Sequence, residues 1–138
     1  MKGDHIAYRC GYDYQLVESY QVTIPVHPVQ DVITEYVLLN RDGFLSIMRG
    51  YAWNGADQAP DLHSIMRGSL VHDALYQLFR VGALDEAIWR ESADRLLKQM
   101  CTEDGMAQPF AELVYQAVRI FGQPAVDPAR AMPVMTAP

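Results

Sequence analysis

The hydrophobic pattern of this chain changes period once, at Pro60-Asp61. That change separates a strand-forming first half from a helix-forming second half. In residues 14–26, Leu16, Val17, Tyr20, Val22, Ile24 and Val26 are β-formers, with period-two alternation clearest from Tyr20 and with Pro25 and Pro28 as boundaries. This pattern predicts a half-buried strand. Residues 33–39 and 44–53 flank Asn40-Arg41-Asp42-Gly43, whose Asp-Gly step supplies the positive φ of a tight turn. They should form a β-hairpin that runs directly into a glycine-containing loop, Gly50-Tyr51-Ala52-Trp53-Asn54-Gly55-Ala56-Asp57.

Beyond Pro60 three helical stripes follow. The first places Leu70, Val71, Ala74, Leu75 and Leu78 on one side, with Asp61 or Ser64 to cap its start and Gly82 to end it. The second spans residues 85–102, turns Trp89, Ala93, Leu96, Leu97 and Met100 inward, and stops at Gly105. The third opens at Pro109, a residue tolerated in a first turn. It is expected to bury Phe110, Leu113, Val114, Ala117, Val118 and Phe121 before Gly122. The expected fold class is therefore α+β: an N-terminal set of antiparallel strands with a hairpin, packed on a C-terminal three-helix unit. One domain over residues 1–122, β-rich in 5–57 and helical in 61–122, accounts for the pattern. Residues 123–138, with Pro124, Pro128, Pro133 and Pro138, read as a frayed end or an arm that orders on a partner.

Length and charge narrow the function classes. A chain of 138 residues, half of them hydrophobic, can bury a core without staples. Its net charge of -6, with eleven Lys and Arg scattered rather than clustered, repels phosphate backbones and argues against nucleic acid as a partner. Cys10 and Cys101 cannot build a disulfide framework or a zinc site and read as two reduced thiols. The first five residues lack the apolar core of a secretory signal, and no apolar run could span a bilayer, so folding in a bacterial cytoplasm is expected.

The chemistry concentrates on the first helix. Ser69, His72, Asp73 and Tyr76 form a polar strip opposite its apolar stripe. The short connection Val81-Gly82-Ala83-Leu84 makes the first two helices an antiparallel hairpin, which sets His72 level with Asp94 on the shoulder of the second helix. A carboxylate on one imidazole nitrogen would fix the tautomer and leave the other nitrogen basic, as a general base requires. Asp73 projects about 100° away from His72. It suits an oxygen-ligand role, in which one carboxylate and the carbonyls of the loop would accept Ca²⁺. A purely structural role is equally compatible with these residues, with His72 a hydrogen-bonded boundary residue and Asp73 paired to Arg67 or Arg80. Asp85, Glu86 and Glu91 read as a favourable helix start and an exposed face. His5, His27 and His63 match no familiar ligand spacing, and Ser69 in mid-helix makes a poor nucleophile.

Two resemblances attach to these residues. The stretch 50–122 carries Trp53-Asn54-Gly55-Ala56, Arg67-Gly68-Ser69-Leu70-Val71-His72-Asp73-Ala74-Leu75-Tyr76-Gln77, Ala93-Asp94-Arg95-Leu96 and Ala117-Val118-Arg119-Ile120-Phe121-Gly122. It resembles a family of small proteins of unknown function encoded by tailed bacteriophages and prophages. That likeness implies a phage origin, with the chain in the host cytoplasm or incorporated in the virion. A tyrosine-containing glycine loop, a proline and then His-Asp-x-x-Tyr on a helix resemble the active-site helix of the secreted phospholipase A2 enzymes. The resemblance implies a phospholipase A2-like helix pair, with His72 as the base, Asp94 orienting it and Tyr76 hydrogen-bonded beside it. Asp73 would be the calcium ligand, with Trp53 and Gly55 of the loop completing the metal site. The chain departs from that family in lacking its disulfides, in having fewer loop glycines and in the short interval from His72 to Asp94. The function so implied is Ca²⁺-dependent hydrolysis of an ester, such as a lipid. The alternative is a virion or assembly protein whose arm from Gln123 contacts phage structural proteins or other copies of itself.

Overall fold

The structure, a computed structural model, describes residues 5–9, 14–54 and 63–123. Cys10, Gly55, Asp57, Asp61 and the proline-rich stretch 124–138 lie outside the described residues. Seven short strands come first: β1 (Tyr8–Arg9), β2 (Tyr14–Leu16), β3 (Tyr20–Thr23), β4 (Val32–Ile33), β5 (Val37–Leu39), β6 (Phe44–Ile47) and β7 (Ala52–Trp53). Three helices follow: α1 (His63–Arg80), α2 (Glu86–Glu103) and α3 (Gln108–Phe121). The fold is α+β.

The strands form two antiparallel sheets, ordered β1-β2-β7 and β3-β6-β5-β4. The single strand expected over residues 14–26 is therefore two strands in different sheets, and the segment 44–53 divides in the same way. Both changes of sheet occur side by side. Leu16 N–H donates to the Tyr51 carbonyl at 2.9 Å, Gly50 N–H to the Leu16 carbonyl at 2.9 Å, and Arg49 N–H to Ser19 Oγ at 3.0 Å. A bend in each segment at one height lets both chains pass from sheet to sheet while these bonds satisfy the backbone between strands. Gly50 adopts φ 95° within the crossing.

The expected hairpin joins β5 to β6, with Leu39 opposite Leu45 and Val37 opposite Ile47. Asn40 organises its turn: its Oδ1 accepts the N–H groups of Asp42 and Phe44, each at 2.9 Å. Gly43 sits at φ 84°, and a Cβ there would lie 2.3 Å from the Ile24 carbonyl, so both its conformation and its surroundings require glycine. From β3 onward the alternation is as read, with Tyr20, Ile24 and Val26 buried and Gln21, Thr23 and Pro25 exposed.

Leu70, Val71, Ala74, Leu75 and Leu78 of α1 meet Ala93, Leu96, Leu97 and Met100 of α2 in one core with the inward side chains of the sheets. Asp85 caps α2 by accepting the Ala87 N–H at 2.9 Å. The third helix corrects the sequence reading. Phe110, Leu113 and Phe121 are 65%, 64% and 70% exposed, Ala117 is also exposed, and Ala111 is the residue that α3 buries; Val114 and Val118 are partly buried. Polar links to α2 set this rotation: Lys98 pairs with Glu112, and Arg90 Nη2 donates to the Val118 and Arg119 carbonyls at 3.0 Å each. An apolar stripe reports a face that can be buried, and here the tethers turn its neighbouring edge toward α2. Among the described residues, no helix is long and apolar enough to cross a membrane.

Candidate functional site

Asp94 is fully buried between the three helices, and its carboxylate organises the polar centre of the molecule. The α1–α2 connection folds the two helices back so that position 94 stands beside position 72. Across that gap His72 Nε2 lies 2.6 Å from Asp94 Oδ1. One turn along α1, Tyr76 donates its hydroxyl to the same oxygen at 2.6 Å, and the His72 and Tyr76 rings stack obliquely with centroids 4.1 Å apart. The other oxygen, Oδ2, accepts Arg119 Nη1 of α3 at 2.8 Å, and Arg90 Nε of α2 stands 4.0 Å away. Arg90 also donates to the Tyr76 hydroxyl at 3.2 Å.

Burial pushes Asp94 upward, but the hydrogen bonds from His72 and Tyr76, the His72 charge and the bond from Arg119 outweigh it and hold the carboxyl below the ordinary range. Burial, reinforced by the adjoining Asp94 carboxylate, pushes the Tyr76 phenol well above its usual range, so it remains a donor. These states fix the imidazole. An ionised Asp94 has no proton to give, so Nε2 must carry the hydrogen, and in the neutral ring the lone pair is then on Nδ1. No group among the described residues bonds Nδ1, and the His72 side chain keeps 12% exposure.

Asp73 faces elsewhere. Its Oδ2 accepts the phenol of Tyr51, the residue at the strand crossing. Burial, then the Asp73 charge, pushes that phenol far above its usual range. A cavity of about 640 Å³ opens on this side of α1, bounded by Asp73, Gln77 and Arg80 together with Trp53, Asn54 and Tyr36. His72, Tyr76 and Asp94 do not line it. Trp53 Nε1–H donates to Ser69 Oγ at 3.1 Å, which in turn donates to the Met66 carbonyl at 2.9 Å. This accounts for the fourth member of the polar strip.

Among the residues read from sequence, the structure therefore joins His72, Tyr76 and Asp94 in one cluster and Asp73 and Trp53 at one cavity, while Gly55 is outside the described residues. Among the described residues, no group of three or more His, Cys, Asp and Glu gathers as a metal cluster. The cavity wall brings together the carboxylate of Asp73, the side-chain amides of Asn54 and Gln77 and the guanidinium of Arg80.

Arg67 does not pair with Asp73 as one reading allowed. It bonds Asp104 through Nε at 2.9 Å, Glu103 through Nη2 at 2.9 Å and the Tyr20 hydroxyl through Nη1 at 3.2 Å. The sequence reading gave Arg90 and Arg119 no role at the site, and it included Tyr51 only as a member of the glycine loop. Arg90 carried a local signal, since it stands four residues before an inward-facing carboxylate on the same helix. Arg119 comes from a distant element and carried none, and nothing in the loop signalled that the Tyr51 phenol bonds Asp73.

No protein-family model matches the chain, and neither a curated protein nor a solved structure matches it.

Proposed function

We propose that this chain hydrolyses carboxylic esters, with His72 as the general base. The observation that carries the reading is His72 Nε2 held 2.6 Å from an ionised, fully buried Asp94, which leaves Nδ1 as the basic nitrogen of a fixed ring. Water at Nδ1 gives up a proton as its oxygen attacks the acyl carbon. Asp94 stabilises the imidazolium that forms, and the same proton passes to the departing alkoxide as the tetrahedral intermediate collapses. Tyr76 keeps Asp94 Oδ1 aligned with the ring. Arg119 and Arg90 lie against the other carboxylate oxygen, Oδ2, and hold Asp94 in place. Asp73, with Trp53 and Gly55 of the loop, would hold Ca²⁺ on the cavity side of α1, which His72 itself does not line; there the ion would supply polarisation of an ester carbonyl. The resemblance of the His-Asp helix to that of phospholipase A2 supports this assignment, with a lipid ester as the substrate, and the resemblance to phage proteins, which implies no activity, supports only the host cell or the virion as the setting.

A second reading rests on a separate observation, the exposed apolar side of α3, which favours a non-enzymatic assembly protein. Hydrolysis of short- and long-chain esters with and without Ca²⁺ separates the two. The expected result is Ca²⁺-stimulated turnover by the wild type and a loss of about 10²–10⁴-fold in His72→Ala, with its fold verified by circular dichroism. Equal rates for the two proteins overturn the assignment. In calorimetry, Asp73→Asn should abolish the heat of Ca²⁺ binding seen with the wild type.

A further inference from the structure

We infer that α3 is the contact helix of a homodimer, packed antiparallel against α3 of a second copy about a twofold axis. The inference is independent of the hydrolase reading. It starts from the spacing of what α3 leaves uncovered. Phe110, Leu113 and Ile120 are 65%, 64% and 66% exposed, and the exposed Ala117 stands between the last two. The intervals of three, four and three residues are those of a helix seam that meets another helix. Phe121, 70% exposed, widens the seam at one end. The other edge of the helix is already in use, with Ala111 buried and Val114 and Val118 packed against the core.

The stripe is also complementary to itself. Its members are placed symmetrically about position 115, so in an antiparallel pair Phe110 of each copy meets Ile120 of the other, and Leu113 meets Ala117. A twofold contact requires this reciprocity. Large faces small at the centre, where Ala117 lets the helices approach, and large faces large at both ends. No charge lies in the stripe, so two identical copies meet without repulsion. The cations beside it are engaged within the chain, Lys98 with Glu112 and Arg119 with Asp94. The seam thus lacks the cationic rim that would draw it to anionic lipid.

Size is consistent with a weak, specific dimer. Fourteen residues make a contact about 21 Å long. Two phenylalanines and two aliphatic side chains of this exposure would bury on the order of 1,000 Å² across both copies, the lower end for a specific pair.

Sedimentation velocity on the full chain from about 1 to 100 µM tests this. The wild type is expected to pass from a 15.6 kDa species to one of twice that mass. Leu113→Asp and Ile120→Asp should each remain monomeric throughout while keeping the wild-type circular dichroism spectrum and melting temperature, because both positions are exposed. Val29→Asp, at a residue 90% exposed on the sheet side of the chain, should dimerise like the wild type. A monomeric wild type at the highest concentration overturns the inference. So does a dimer that survives both α3 substitutions, a dimer lost equally in Val29→Asp, or a wild type that floats with phosphatidylcholine vesicles as a monomer.

Discussion

Two buried charges, one at the end of the α1–α2 pair where α1 begins and α2 stops and one near its middle, are neutralised in different ways. Arg67 sits near the start of α1 with its side chain 7% exposed, and its partners Asp104 and Glu103 are 19% and 49% exposed. Asp94 is wholly buried, and two of its partners, His72 and Tyr76, are themselves largely enclosed. Arg67 holds its charge at every physiological pH and is held by groups that water also reaches. Asp94 holds a titratable ring and a phenol as well as a guanidinium. The first arrangement fastens the α2–α3 end of the chain to the sheet through Tyr20. The second fastens three helices and in doing so fixes a proton on one nitrogen of His72. Charge burial alone therefore does not mark chemistry; the kind of partner does.

The largest expected effect comes from removing the deeper charge. Asp94→Ala strands Arg119 and Arg90 beside a vacated site and should lower stability by about 3–5 kcal/mol in urea denaturation. Arg67→Met should lower it by less, about 2 kcal/mol, because the released carboxylates rehydrate and the methionine stem still fills the space. Equal losses would erase the distinction between the two charges. His72→Phe removes one charge-assisted bond but leaves Tyr76 and Arg119 on Asp94, and should lower stability by about 1.5–2 kcal/mol.

Acid should separate the two charges next. The folded pKa of Asp94 lies below its unfolded value, so its contribution is complete above the ordinary carboxylate range and declines as pH falls through that range. Urea midpoints measured below about pH 4 should fall more steeply for the wild type than for Asp94→Asn, and Arg67→Met should keep most of the wild-type slope. The smallest effect concerns Cys101, whose thiol is pushed up to about 11 by burial and by Asp104, against the opposing charge of Arg67. Its raised pKa favours folding below the unfolded thiol value and loses that effect as pH rises toward 11. In a Cys10→Ser background, Arg67→Met should move the alkaline limb of thiol alkylation still higher. An unmoved limb would show that the guanidinium field does not reach Cys101.

Much of this architecture was legible where a local signal and a tertiary demand agree. Asp42-Gly43 marked the hairpin because only a residue free at positive φ closes it, and three amphipathic periods marked three helices. That His72 stands level with Asp94 followed from the brevity of residues 81–84, which sets the register of the antiparallel helices; that the carboxylate turns to the ring did not, because the wheel places Asp94 on the shoulder of α2. The division of residues 14–26 into β2 and β3 was not legible, because every residue there favours strand and the bend is set by Ser19 and Tyr51 partners some thirty residues apart. The rotation of α3 was misread for a related reason: its apolar stripe is wider than the edge that the tethers of Arg90 and Lys98 allow it to bury. Arg119 reached Asp94 from 25 residues away. No pattern within either helix specifies such a meeting.

The place where both chains change sheet has one more consequence. Gly50, Tyr51, Ala52 and Trp53 run through that corner and immediately wall the cavity that Asp73 faces, with the Tyr51 phenol reaching across to α1. A displacement between the two sheets would therefore alter the width of the chamber first. Because the same corner grips α1 through Asp73 and Ser69, on either side of His72, it would also bear on the helix that carries the imidazole, and the bond to Asp94 of α2 is what steadies the ring against it.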